Sequence, residues 1–237
     1  MWRSGPPAAA GGNMSGMRIT LPTGTRAEYV EADEPRGGLV VIPDIIGLRP
    51  LFDEMVARLA REWRRTVCAP DLYPGREDLD LEGRLAAARE LVDDEVLADV
   101  VAAADACGVE PVAVIGFCMG GMYALKAVAT GRFCAHVPFY GMIRVPEAWR
   151  GPGQGEPLDA VSAGDPSSVL AIIGTADDYT PPDDVDALAA TGAGVVRYEG
   201  AAHGFVHDPA RPAHRPDDAA DAWRRAAEFV EARCAAS

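Results

Sequence analysis

A cysteine at position 118, an aspartate at 177 and a histidine at 203 follow one another in the order nucleophile, acid, base, each in sequence suited to a tight loop. Gly116-Phe117-Cys118-Met119-Gly120-Gly121 has the G-x-nucleophile-x-G spacing of a sharp strand-to-helix turn. Glycines two residues to either side have a steric reason: such a turn brings neighbouring backbone so close that a Cβ would clash. The turn lifts the sulfur above the amino end of the following helix, whose dipole favours thiolate. His203 stands in Glu199-Gly200-Ala201-Ala202-His203-Gly204-Phe205, where a ring can take a proton from sulfur while an acid fixes its tautomer through the other nitrogen. Two aspartates compete for that acid. The spacing Gly174-x-x-Asp177-x-x-x-Pro181 favours Asp177, while Asp178 suits a turn residue. The chemistry this set can perform is acyl transfer through a sulfur nucleophile.

The elements that must position these groups alternate regularly. Met17–Leu21 and Ala27–Val30 read as short antiparallel strands joined by Pro22-Thr23-Gly24. Gly38–Ile42 is an unbroken apolar run, as in a fully buried strand, and Leu51 to Arg61 has Leu51, Met55 and Leu59 on one helical face. Thr66–Ala69 is the next strand, followed by a loop over Pro70–Gly75 and a helical stretch from Leu81 to Ala106 with a break near Asp93–Asp94. Pro111–Ile115 is the strand entering the turn at Cys118, and Met119 to Gly131 the helix leaving it. Cys134–Phe139, Val169–Ile173 and Val195–Tyr198 complete the strands; Asp183 to Ala190 and Asp217 to Cys234 complete the helices; Val145 to Ser168 is irregular, a rim or cap. Strands alternating with helices predict a parallel sheet with helices on both faces, which gathers reactive loops at the carboxyl ends of the strands.

Composition narrows the function. With 237 residues and 49% hydrophobic content, residues 17–237 are expected to form one α/β domain behind a disordered leader over residues 1–16, with Met14 or Met17 near the true start. A formal charge of −14 argues against nucleic acid or an anionic membrane as partner, since both need a basic face. No apolar run reaches transmembrane length, and the opening residues lack the apolar stretch of a signal peptide. The five cysteines (68, 107, 118, 134 and 234) are odd in number and lack C-x-x-C spacing, which predicts free thiols in a reducing cytoplasm and no zinc site.

Together, the cysteine turn, the Gly-x-x-Asp177-x-x-x-Pro181 loop, Ala202-His203-Gly204-Phe205 and Pro70-Asp71-Leu72-Tyr73 resemble the dienelactone hydrolase family of α/β-hydrolases from about Met17 onward. The resemblance implies an α/β-hydrolase fold, with a mostly parallel central sheet flanked by helices on both faces. It implies hydrolysis of an enol ester or lactone through an acyl-cysteine, without metal or organic cofactor. Asp44-Ile45-Ile46-Gly47 stands where the family has a Glu-Ile-Phe-Gly-like segment, so Asp44, one methylene shorter, is expected to hydrogen-bond the Cys118 thiol and accept its proton when substrate binds; its alternative is a turn residue. The Ile45 and Met119 amides are expected to form the oxyanion hole.

Departures from the family concern the substrate. The family's bacterial members hold a substrate carboxylate with arginines, one of them four residues after the histidine, where this chain has His207; another lies early in the long helical region, where Arg84 is out of register. A carboxylate clamp at those positions is thus not expected. Arg49 is a candidate substitute, Tyr73 and Tyr140 are candidate pocket walls, and His207 and Asp208 are expected at the surface. The expected function is a carboxymethylenebutenolidase-like carboxylic ester hydrolase, a monomer or small homo-oligomer, acting on a small ester or lactone. Thioester hydrolysis on the same site, or a non-catalytic ligand-binding or thiol-sensing role, is the alternative.

Overall fold

Unbroken apolar runs become the buried centre of one eight-stranded sheet. The computed structural model of the protein describes residues 16–235; the leader expected over residues 1–16 lies, but for Gly16, outside them. The strands are β1 (Met17–Thr20), β2 (Arg26–Val30), β3 (Gly38–Ile42), β4 (Thr66–Pro70), β5 (Val112–Phe117), β6 (His136–Phe139), β7 (Leu170–Gly174) and β8 (Gly194–Tyr198). Their spatial order is β1-β2-β4-β3-β5-β6-β7-β8. The pairs β1–β2 and β2–β4 are antiparallel, and every other pair is parallel. Each residue of β3, β4, β5 and β6 is buried, as a sheet covered on both faces requires.

Successive side chains divide between two helical layers. Leu39 and Val41 of β3, with Ala113, Ile115 and Phe117 of β5, pack on α1 (Pro50–Trp63) and α7 (Pro216–Ala235). Val40, Ile42, Val112 and Val114 face α3 (Asp93–Ala106) and α4 (Met119–Lys126). Helix α1 buries Phe52, Met55, Val56, Leu59 and Ala60, the stripe that a 3.6-residue period produces.

The long helical stretch divides into α2 (Leu81–Ala87), a single 3-10 turn and α3. The first turn of α3 carries Asp93, Asp94 and Glu95, charges that suit a helix amino terminus. Within the segment read as irregular lie one short α-helix, α5 (Pro157–Ala163), and 3-10 turns at Glu147–Trp149 and Pro166–Ser168, and α6 (Pro182–Ala190) follows β7. One expectation is corrected outright: Cys134 and Cys234 form a disulfide, leaving Cys68, Cys107 and Cys118 free. They lie 100 residues apart in sequence and meet because α7 packs back along β6. That bridge removes the free-thiol ground for a reducing compartment. No helix among the described residues is long and apolar enough to cross a membrane.

Sheet register brings the candidate residues together. Ile42 pairs with Gly116, Phe117 with Phe139, Phe139 with Ile172 and Gly174 with Tyr198. The loops carrying Asp44, Cys118, Tyr140, Asp177 and His203 therefore leave the same edge of the sheet side by side.

Candidate active site

Cys118 sits between β5 and α4 with φ 56° and ψ −116°, a strained backbone for a residue with a side chain. Its neighbours make the turn feasible. A Cβ on Gly116 would lie 2.1 Å from the Gly120 carbonyl oxygen, and one on Gly120 would lie 2.2 Å from the Pro43 carbonyl oxygen. Any other residue at 116 would force β5 away from the start of α4, and any other residue at 120 would force the elbow away from the β3 loop. The Cys118 N–H donates to the Phe139 carbonyl at 3.1 Å, and the Cys118 carbonyl accepts from Met122 N–H at 3.0 Å, which ties the turn to the next strand and helix. Of the three free cysteines, Cys68 and Cys107 are buried and Cys118 is partly exposed. Burial pushes the Cys68 thiol far up and the Cys107 thiol up to about 12, so neither ionises near neutrality.

His203 Nδ1 lies 2.8 Å from Oδ2 of Asp177. Asp177 is 5% exposed and its other oxygen accepts from Tyr179 N–H at 2.9 Å, whereas Asp178 is exposed. The carboxylate accepts, so Nδ1 carries a proton and Nε2 is the ring atom left for proton exchange. Nε2 is buried without an oxygen or nitrogen partner among the described residues. Burial pulls the His203 pKa down, but the Asp177 hydrogen bond and the neighbouring Cys118 sulfur outweigh it and push it up to about 9. Tyr179, not singled out in the sequence, borders this ring, and Trp149 lies behind it. Tyr179, 47% exposed, has its ring centroid 4.9 Å from that of His203, and Trp149 stacks on Tyr179 at 6.1 Å. The signal available for Tyr179 was its place two residues after the acid; Trp149 lay in the segment read as irregular.

Met119 opens α4, where first-turn amides have no intrahelical acceptor. In the β3 loop the Ile46 N–H donates to Asp44 Oδ1 at 3.0 Å and the Gly47 N–H to the Asp44 carbonyl at 2.8 Å. The intervening Ile45 amide makes no hydrogen bond among the described residues. The two amides expected to bind an oxyanion are thus in loops set side by side by the pairing of Ile42 with Gly116.

Asp44 departs from its expected contact with the thiol. Its oxygens accept from Arg49 Nη1 at 2.6 Å and Nη2 at 2.8 Å, and from His207 Nε2 at 2.9 Å, while Arg211 stands at 3.7 Å. These donors, with Ile46 N–H, occupy the carboxylate, which is 1% exposed. Arg49, expected as a substrate contact, is correspondingly engaged with Asp44. His207, expected at the surface, is 5% exposed and bonded through Nδ1 to the Tyr140 hydroxyl. Burial alone would raise the Asp44 pKa, but the His207 and Arg49 bonds hold the carboxyl well below the usual range. Burial pushes His207 down despite Asp44. The contact is therefore an ionised carboxylate accepting from a neutral ring, and Tyr140 must donate to the unprotonated Nδ1.

The remaining candidates pack beneath the site. Tyr140 is fully buried with its ring 5.2 Å from that of His203. Tyr73 is 1% exposed, and its hydroxyl donates to the Arg84 carbonyl at 3.1 Å and toward the Met119 sulfur at 3.4 Å. Arg84 itself is buried, with Nε and Nη2 on the Leu79 and Glu77 carbonyls and Nη1 without a hydrogen-bond acceptor among the described residues. The described residues hold no group of three or more His, Cys, Asp or Glu side chains arranged for a metal ion.

Comparison with known proteins agrees with this architecture. The sequence model of the dienelactone hydrolase family matches residues 26–233. A carboxymethylenebutenolidase from Rhodococcus opacus is 29% identical over 248 residues, covering 96% of this chain and 94% of its own. A probable 2-oxo-3-(5-oxofuran-2-ylidene)propanoate lactonase from a Bradyrhizobium species is 30% identical over 202 residues, covering 78% of this chain and 79% of its own. Among solved structures, a dienelactone hydrolase-like promiscuous phosphotriesterase from metagenomic libraries superposes with a TM-score of 0.74 at 22% identity, covering 94% of this chain and 99% of that one.

Proposed function

Because this chain belongs to the dienelactone hydrolase family, whose relatives here are hydrolases of esters or lactones, we propose that it cleaves a small carboxylic ester or lactone through an acyl-cysteine. The observation that carries this reading is the 2.8 Å bond from His203 to Asp177, with the other ring nitrogen open beside Cys118. His203 Nε2 holds the proton drawn from the thiol, and the sulfur attacks the acyl carbon. The carbonyl oxygen becomes an oxyanion and accepts from the Ile45 and Met119 amides. Collapse breaks the ester C–O bond, and the leaving oxygen takes the proton back from Nε2. Water then attacks the thioester, giving its proton to Nε2, and Cys118 leaves, regaining that proton as the carboxylic acid product forms. A histidine that keeps its proton to about pH 9 is suited to hold it between these transfers. Asp177 keeps Nδ1 protonated throughout.

The reaction is tested with short p-nitrophenyl esters, thioesters and lactones, together with intact-mass detection of an acyl adduct. We expect an adduct on Cys118 and loss of turnover after iodoacetamide treatment, because Cys118 alone among the free cysteines combines accessibility with a neighbouring base. Cys118→Ala with wild-type turnover on every accepted substrate overturns the nucleophile and with it the acyl-cysteine route. The substrate panel also separates an ester or lactone hydrolase from a thioesterase.

A further inference from the structure

His207 lies 163 residues along the chain from Asp44, yet its ring meets the loop of the Ile45 amide, the strand that leads into Cys118 and the residue packed on His203. Nε2 donates to Asp44 in the loop bearing the Ile45 amide. Nδ1 accepts from Tyr140, whose ring edge lies against His203. The imidazole packs against Phe117, at 5.0 Å, and Phe52, at 5.9 Å, two rings that also touch each other at 5.9 Å. Phe117 immediately precedes Cys118, and Phe52 belongs to the helix that follows the oxyanion loop. His207 itself shares its loop with His203.

Ties to Asp44 differ in what they can fix. Arg49 binds both carboxylate oxygens, but it stands only five residues on and belongs to the same loop, so it stiffens the loop internally. Ile46 N–H does the same. His207 comes from a different strand end and holds the loop relative to the elbow; Arg211, from that same region, stands further off at 3.7 Å and is one-third exposed. An oxyanion donor is effective only when its placement relative to the nucleophile is set before the reaction, and an error of about 1 Å costs on the order of a hundredfold in rate.

We propose that His207 is the positioning residue of the oxyanion hole: its ring, bonded to Asp44 and Tyr140 and packed against Phe52 and Phe117, sets the Ile45 amide against Cys118. This rests on the acyl-cysteine reading. The ring touches no reacting atom and exchanges no proton during turnover. It works as a neutral Nε2–H tautomer, with one donor and one acceptor at opposite ends of a flat side chain.

His207→Phe keeps the flat ring in its slot and deletes both hydrogen bonds. Acylation builds an oxyanion, whereas alkylation of Cys118 by iodoacetamide does not, so the two reactions report separately on the hole and on the nucleophile. For His207→Phe we expect kcat on a p-nitrophenyl ester to fall about a hundredfold while KM and the alkylation rate stay within about threefold. His207→Gln, which can still donate to Asp44 and accept from Tyr140, should recover kcat to within about tenfold of wild type. Should His207→Phe not fold, His207→Gln and Tyr140→Phe decide the matter, with the hydroxyl deletion lowering kcat and sparing alkylation. Unchanged kcat, or kcat and alkylation falling in parallel, overturns the positioning role. A Cys118→Ala protein that still turns over instead sinks the acyl-cysteine reading itself, a result visible without touching His207.

Discussion

The Oδ2 atom of Asp177 sits 2.8 Å from Nδ1 of His203, while its neighbour Asp178 is exposed. A single position in the β7 loop separates an aspartate bonded to the histidine from a solvated one. Asp177→Asn leaves an amide that can offer an N–H to Nδ1, favouring the wrong tautomer and removing the base from Nε2. We expect kcat to fall by orders of magnitude, on the scale of the roughly ten-thousand-fold loss in the serine-protease template, with KM little changed. Asp178→Asn should stay close to wild type. Steady-state kinetics on the two variants decides between them, and a larger loss at Asp178 reverses the choice.

Asp44 should govern the loop and leave the thiol alone. Its carboxylate is already occupied by Arg49, His207 and Ile46 N–H. Asp44→Asn removes the counter-charge of Arg49 and sets an amide donor against the Nε2–H of His207. Breaking a buried charge-assisted network of this kind costs about 3 kcal/mol, so denaturation should shift to lower urea. The pH profile of Cys118 alkylation should superimpose on that of wild type. Faster alkylation of Asp44→Asn near neutral pH would show that the carboxylate does reach the sulfur.

How much of this was legible in the chain depends on where each signal lay. Gly38–Ile42 and Val112–Phe117 are apolar at nearly every position, so a doubly covered sheet could be read from them. Cys118, Asp177 and His203 each sit in a short loop after a strand, so their chain order suggests the triad proposed above, and the Asp177–His203 contact agrees with part of it. His207 reads as a surface residue because Asp208 and Arg211 beside it are polar, and nothing local tells that a ring so flanked turns inward against Phe52 and Phe117. Arg49 was read as open to substrate because its partner Asp44 had been given a different role. Cys134 and Cys234 are joined only by the packing of α7, a tertiary fact with no local trace.

His136 should make the protein acid-labile above the range in which carboxylates titrate. It is 2% exposed on β6, with Nδ1 2.9 Å from the Ser168 hydroxyl, which itself donates to the Asp165 carbonyl at 2.6 Å. Nδ1 must therefore donate to Ser168, and Nε2 is buried without a partner among the described residues. Burial pushes the pKa down to about 4. With the folded value below that of the unfolded chain, near 6.5, the unfolded state binds more protons between the two. Stability thus falls as pH drops through that window, by about 2–3 kcal/mol at pH 4.5. His207, also pushed down, adds in the same direction. His203, pushed up, loses its contribution only as pH rises toward 9. Urea midpoints at pH 7 and 4.5 should differ less in His136→Phe than in wild type, and equal differences would remove His136 as the cause.

The Cys134–Cys234 bridge should stabilise the fold without serving turnover. It joins the start of β6 to the last turn of α7, at the end of the sheet opposite Cys118 and His203. Between its ends α7 lays Ala219, Ala222, Ala226 and Val230 on the core, and its Trp223 packs on Phe117 at 5.7 Å and Phe139 at 5.0 Å. A link between positions 100 residues apart removes much of the unfolded chain's freedom, and losing such a link costs about 2–5 kcal/mol. For a chain of this length each kcal/mol moves Tm by roughly 2–4 °C. Cys234→Ser, or wild type under dithiothreitol, should therefore melt about 5–15 °C lower, while kcat at 25 °C is unchanged. Thiol counting after denaturation should find three free cysteines without reductant and five with it. Five free thiols in the untreated protein would return the cysteines to the unbridged state that their spacing first suggested.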